Sequence, residues 1–145
     1  MTITDHVHSV SAFCAATAAD AFAFVADASR LGEWALGCWN TVESSAGVVE
    51  GTSLFDGGLT YARADPDRSR MIVDFDVGDE PTALVRRITV RVVRGDDIGR
   101  PAETSLLVLT GWRTASMDDE RWRRLAVAHE AEILLLRHRI EASSG

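Results

Sequence analysis

Apolar positions in this chain recur with two different periods, and the places where the period changes divide it into three stretches. In the first, HVHSVSAFCA (residues 6–15) carries Val7, Val10 and Phe13 in a strand-length run with no helix-starting residue before Thr17, which predicts a first strand. Thr17 stands three residues before Asp20 in capping-box spacing, with Asp in place of the better Glu or Gln. Beyond it Ala21, Phe22, Val25 and Ala28 recur at helical spacing, so this is a short amphipathic helix whose apolar stripe something must cover. Ser29 offers a second cap, and ASRLGEWALG, with Gly32 and Gly37, predicts a brief second helix before a turn.

From Cys38 to Arg113 the pattern changes to short runs punctuated by Gly, Pro and Asp. MIVDFDV puts Met71, Val73, Phe75 and Val77 on one face and Asp74 and Asp76 on the other, as a half-buried antiparallel strand does. RRITVRVVR sets Ile88, Val90 and Val92 against Arg87, Thr89 and Arg91, and TSLLVLTGW supplies a further strand ending near Trp112. ADPDRSR and RGDDIGRPAE are turn compositions, and DGG at residues 56–58 suggests a bulge or tight hairpin. Six strands follow, at residues 37–44, 51–57, 59–65, 69–77, 84–95 and 103–112, which makes seven with the first.

The last stretch, residues 116–142, is a long helix. Ser116 can cap it, Asp118, Asp119 and Glu120 suit the positive end of its dipole, and Arg137, His138 and Arg139 suit the negative end. At about 100° per residue, Trp122, Leu125, Ala126, His129, Ile133, Leu136 and Ile140 fall in one apolar stripe, with His129 its only polar member. A second line of Val127, Leu134 and Leu135 lies roughly opposite, which predicts a homodimer formed through the back of this helix.

One strand, two short helices, six antiparallel strands and a long terminal helix make an α+β arrangement in which a curved seven-stranded sheet wraps the helix. A chain of 145 residues is the size of one domain, so a single unit over residues 1–145 is expected. Fifteen basic against 22 acidic residues leave a formal charge of −7, which opposes affinity built on neutralising phosphates and removes nucleic acid and anionic membranes as partners. All the basic residues are Arg and there is no Lys, so Schiff-base and lysine-base chemistry is absent. Two cysteines, Cys14 and Cys38, are too few for a zinc site. The polar start MTITDHVHS has no apolar core of a secretory signal, so a cytoplasmic protein with free thiols is expected. No apolar run approaches the roughly 18 to 20 residues of a membrane helix.

The run AFAFVADASRLGEW, together with this element order and length, resembles the START-like or Bet v 1-like helix-grip (SRPBCC) superfamily, in its bacterial polyketide cyclase/dehydrase and lipid-transport branch. The resemblance covers nearly the whole chain, and Phe22, Val25, Asp27, Leu31 and Trp34 carry its most specific part. It departs from the pattern just before the helix, where Ala18 and Ala19 stand in place of a frequent proline. The resemblance implies a cavity between sheet and long helix, but such proteins include cyclases, carriers and chaperone activators, so fold does not settle function.

A cavity of that kind, on the order of 300 to 1,000 Å³, would be mostly apolar with a few polar groups. The candidates to line it are His129, Trp122 and Ile133 on the helix and Trp39, Tyr61, Arg86 and Trp112 on strands or strand ends. His129 is the candidate catalytic residue, since its position between Ile133 and Leu136 on the stripe sends the imidazole where they point, and desolvation there lowers its pKa. Trp34 reads as core. His6 and His8 share a strand face but have no acidic or thiol partners, so they read as a surface pair, and Asp74 and Asp76 read as cross-strand surface charge with Arg87 and Arg91. No G-x-S-x-G elbow, H-E-x-x-H, P-loop or dinucleotide fingerprint occurs, and no metal or cofactor is expected. Two functions compete: a carrier of a hydrophobic small molecule such as an aromatic polyketide, lipid or isoprenoid, and a cyclase or dehydratase in which His129 moves a proton. The lack of a second identifiable titratable group favours the carrier. An interaction module whose cavity is filled by side chains is a further alternative.

Overall fold

In the computed structural model, which describes residues 5–144, strand β1 (Val7–Cys14) is followed by helix α1 (Ala18–Ala26) and a 3-10 turn (Ala28–Glu33). Strands β2 (Trp39–Ser45), β3 (Val48–Thr52), β4 (Leu59–Asp67), β5 (Ile72–Gly78), β6 (Val85–Arg94) and β7 (Ser105–Trp112) come next, and helix α2 (Asp119–Ser144) ends the chain. The seven strands form one antiparallel sheet in the order β1-β7-β6-β5-β4-β3-β2. This is the α+β architecture expected from the pattern. Consecutive strands from β2 to β7 are neighbours, while α1 and the 3-10 turn carry the chain from one sheet edge, β1, to the other, β2. No helix of the described residues is long and apolar enough to cross a membrane.

The inner sheet face and the two helices share one apolar core. Thr17 caps α1 by accepting from the Asp20 amide at 3.1 Å, which turns Ala18, Ala21, Phe22 and Val25 inward. The expected second helix is instead the six-residue 3-10 turn, and Asp27 rather than Ser29 caps it, accepting from the Ser29 amide at 3.0 Å and its hydroxyl at 2.6 Å. From the sheet, Val73 and Phe75 of β5, Val90 and Val92 of β6, and Leu107 and Leu109 of β7 meet Ile133, Leu136 and Ile140 of α2. Trp34 belongs to this core and meets the Phe75 ring edge-on, with centroids 5.9 Å apart.

Several boundaries differ from the expectation, three of them for an identifiable local reason. Strand β3 lies at Val48–Thr52 rather than 51–57, because Ala46 and Gly47 make a two-residue turn with Gly47 at φ +75°, a conformation glycine adopts without strain. Strand β5 starts at Ile72, since Met71 takes a positive φ of 55° and offers its carbonyl to the Val92 amide. Helix α2 begins at Asp119, capped by Asp118, whose carboxylate accepts from the Arg121 amide at 2.8 Å, while Ser116 bonds Thr114.

On the outer face, Arg86 gathers the carboxylates. Its guanidinium donates to Asp65 at 2.6 Å, Asp76 at 3.0 Å and Asp74 at 3.4 Å, and Arg63 donates to Asp76 at 3.0 Å. Burial pushes the Asp76 carboxyl up, but the hydrogen bonds from Arg86 and Arg63 outweigh it and hold the group below its ordinary value. The cross-strand charge expected around Asp74 and Asp76 is therefore present, with Arg86 rather than Arg87 as the partner. Replacing the hub, Arg86→Met, removes the arginine partner of Asp65 and Asp74 and one of the two that hold Asp76, and should lower the unfolding free energy by about 1–3 kcal/mol in urea titrations. Ligand binding in the cavity described next should be unchanged in the same variant, which an Arg86 inside the cavity would contradict.

Candidate functional site

Between α2 and the sheet the packing is incomplete, and the space left has two parts. An inner chamber of about 60 Å³ is walled by Trp34, Phe75, Leu109, Trp122 and other apolar side chains, with His129 and Glu132 as its polar groups from α2. An outer vestibule of about 370 Å³ is lined by Ser53, Asp56, Asp79, Arg87, Arg121 and Arg124 among others. Gly37, Phe55, Arg87 and Leu125 line both and form the collar between them. The apolar part is much smaller than the drug-sized cavity expected, and Phe55, Met117 and Leu125 are among the side chains that wall it.

His129 lies where the helical stripe sends it. The side chain is 2% exposed, its Nδ1 has no hydrogen-bond partner, and its ring rests on β7 at Gly111, where a Cβ would collide with the imidazole. A neutral imidazole follows: burial, and then the nearby His8 and Arg87, push its pKa down to about 4. The His8 ring stands 5.8 Å away, because His8 pairs with Gly111 across β1 and β7. The reading of His6 and His8 as a surface pair is corrected here: His6 is exposed, but His8 is half-buried on the inner face beside His129.

Glu132 is the residue that the sequence reading missed. It lies only about 20° outside the Leu125 edge of the apolar stripe, where a carboxylate ordinarily reaches water. Here it is buried and accepts the Leu36 amide at 2.8 Å. Burial pushes its pKa up to about 8, against a smaller opposing effect of the Leu36 N–H, so it is protonated at neutral pH. Thus α2 presents a neutral histidine and a protonated carboxyl to one chamber, their pKa values displaced in opposite directions from those of free side chains.

The other candidates divide. Trp112 and Trp122 line the chamber, and the Trp112 indole donates to the Arg86 carbonyl at 3.1 Å. Ile133 is buried in the core but does not line the space. Trp39 and Tyr61 are corrected: Cys38, Thr60 and Ala62 are buried, so their strand neighbours Trp39 and Tyr61 turn the other way, and Tyr61 faces Glu50 across β3 and β4. Arg86 is corrected as well. Phe75 pairs with Ile88 and Asp76 with Arg86, which leaves Arg87 as the extra residue of a β-bulge. The bulge sends Arg86 outward and lets Arg87 join Ile88 in the cavity wall. No cluster of three metal-ligating side chains exists among the described residues.

No protein-family model matches the chain, and no curated protein matches it significantly. Solved structures do match. The protein XoxI from Bacillus cereus aligns with a TM-score of 0.70 at 14% identity, over 94% of this chain and 96% of its own. The di-domain ARO/CYC BexL from the BE-7585A biosynthetic pathway aligns at 0.67 and 16%, over 94% of this chain and 47% of BexL. The Zhui aromatase/cyclase from Streptomyces sp. R1128 aligns at 0.60 and 19%, over 94% of each chain. At these identities the likeness is one of fold, the helix-grip arrangement of an antiparallel sheet around a long C-terminal helix.

The two displaced pKa values make stability depend on pH with a definite sign. His129 falls from 6.5 to about 4 on folding, so its contribution is complete above 6.5 and lost as pH drops toward 4. Glu132 rises from 4.5 to about 8, so its contribution is complete below 4.5 and lost as pH climbs toward 8. The two oppose each other between 4.5 and 6.5, and only Glu132 titrates from there to 8. Stability should therefore fall between pH 6.5 and 8, and Glu132→Gln, which keeps an acceptor for Leu36 but cannot ionise, should abolish that fall. Urea unfolding at the two pH values checks this, and an equal loss in both proteins would refute it.

Proposed function

We propose that the chain binds a small, largely apolar molecule in the space between α2 and the sheet, as a carrier or binding protein for compounds of the aromatic polyketide, lipid or isoprenoid kind. The observation that carries this reading is an apolar chamber into which a buried imidazole with an unpartnered Nδ1 is turned, since a buried polar atom without a protein partner is rare unless something else completes it. Likeness of fold to aromatase/cyclases adds support. Trp34, Trp112 and Trp122 line the chamber, so saturable quenching of intrinsic tryptophan fluorescence by fatty acids or aromatic polyphenols is expected. His129→Leu should remain folded and weaken that binding about tenfold, the loss of one buried hydrogen bond. An absence of saturable quenching across the panel would remove the reading.

A second reading is favoured by Glu132. The sequence favours the carrier for want of a second identifiable titratable group, whereas α2 brings two. In a cyclase or dehydratase step the neutral His129 would take a proton from carbon beside a carbonyl, and the Glu132 carboxyl would give one to the departing hydroxyl as water. On a β-hydroxy ketone that the protein binds, Glu132→Gln should then cut turnover about 100-fold or more while binding persists. The homodimer proposal has narrower support than the sequence offered, because Leu135 packs partly against the core, leaving Val127 and Leu134 exposed at 62% and 50%.

A further inference from the structure

Arg87 is an arginine out of place. As the extra residue of the β-bulge in β6 it has no partner across β5, and it enters the collar where chamber meets vestibule. Its neighbour Arg86 holds three carboxylates on the other side of the sheet, whereas Arg87 has no hydrogen bond or ion pair among the described residues. Arg87 is half-buried, and withdrawing a guanidinium from water even in part without a counter-ion is costly, a cost raised here by a second cation. Burial, and then Arg121, lower the Arg87 pKa, with Asp79 as the opposing carboxylate. Arg124 joins them across the vestibule, its guanidinium 5.2 Å from the centre of the Phe55 ring. Two carboxylates also line this space: Asp56 bonds the Gly58 amide, and Asp79 is exposed. Three guanidiniums against two carboxylates make a local cationic excess in a chain whose net charge is −7.

An arginine held unpaired at the end of an apolar chamber fits an amphipathic anion. We propose that the molecule bound is an amphipathic carboxylate, its apolar body directed into the chamber and its carboxylate taken in fork geometry by Arg87 at the collar, with Arg121 adding charge from α2. This deepens the binding function proposed above and rests on it. A carboxylate supplies the counter-charge that Arg87 lacks, and the planar guanidinium matches it through two parallel N–H donors. A neutral alcohol with the same body fills the chamber equally but leaves the guanidinium unpaired.

The experiment compares acid and alcohol pairs by titration calorimetry: octanoate with 1-octanol, and 2-naphthoate with 2-naphthalenemethanol, so that linear and aromatic bodies are separated. In the unaltered protein the carboxylate of at least one pair should bind about tenfold or more tightly than its alcohol, the discrimination expected of charge-assisted hydrogen bonds. Arg87→Met should reduce that preference to within about twofold while the alcohol binds as before. Arg121→Met should reduce it partially, and Arg91→Met, on the outer face, should leave it intact. The alcohol arm also reports that each variant is folded with its cavity formed. Equal binding of acid and alcohol, or a preference that survives Arg87→Met, overturns the carboxylate proposal and leaves the binding function standing. Binding of no member of either pair overturns both.

Discussion

When α2 lies down on the sheet it removes two ionisable side chains from water together with its apolar ones, and the character of the cavity follows from how differently the two are received. Glu132 meets the Leu36 amide, and Leu36 in turn offers its carbonyl to the Leu54 amide at 2.9 Å. A carboxyl on the helix is thereby joined, through the segment after the 3-10 turn, to the loop that carries Phe55. His129 meets no donor or acceptor at Nδ1, only the flat backbone at Gly111 and the His8 ring. One buried group is used to pin the walls together and the other is left unsatisfied. Desolvation acts on both, so each takes its neutral form, and the charge at the chamber wall is left to Arg87 at the collar.

A single extra residue in β6 governs the rest of the electrostatics. Without the bulge, strict alternation would turn Arg86 to the same face as Ile88 and send Arg87 outward. With it, Arg86 joins Asp65, Asp74 and Asp76 on the outer face, and Arg87 takes the collar. The two arginines are adjacent and chemically identical, yet one makes three ion pairs and the other none among the described residues. Bulges often re-aim a side chain near functional sites, and here the re-aimed group is a charge.

Element order, the seven strands, the terminal helix and the inward direction of His129 were legible because each rests on a periodicity that extends over many residues. His129 sits amid seven stripe positions, so an error of a residue in the helix start would not have moved it. The misses occur where one residue breaks the period. Arg87 depends on a bulge with no glycine to announce it, Met71 on a positive φ in a residue that seldom adopts one, and β3 on a turn in which Gly47 could equally have been part of a loop. Glu132 is a different kind of miss. Its position was computable, but its burial depends on the Leu36 amide, which comes from a segment 96 residues away in the sequence. Trp39 and Tyr61 were placed on chemical character alone, and their neighbours' burial decides against them.

Chamber size bears on what this fold does in this chain. The inner space of about 60 Å³ holds little more than the end of a ligand, and the roomier 370 Å³ lies outside the collar among arginines and aspartates. A molecule occupying both must present an apolar end and a polar one in that order, since the walls change character at Phe55, Leu125 and Arg87. Enlarging the chamber means displacing the collar, whose loop-borne members are Gly37 and Phe55, and of these only Phe55 has a side chain to move. Its loop is held by the Leu54 amide on Leu36, and Leu36 is the residue that binds Glu132. The path from the collar to the buried carboxyl is therefore two hydrogen bonds long.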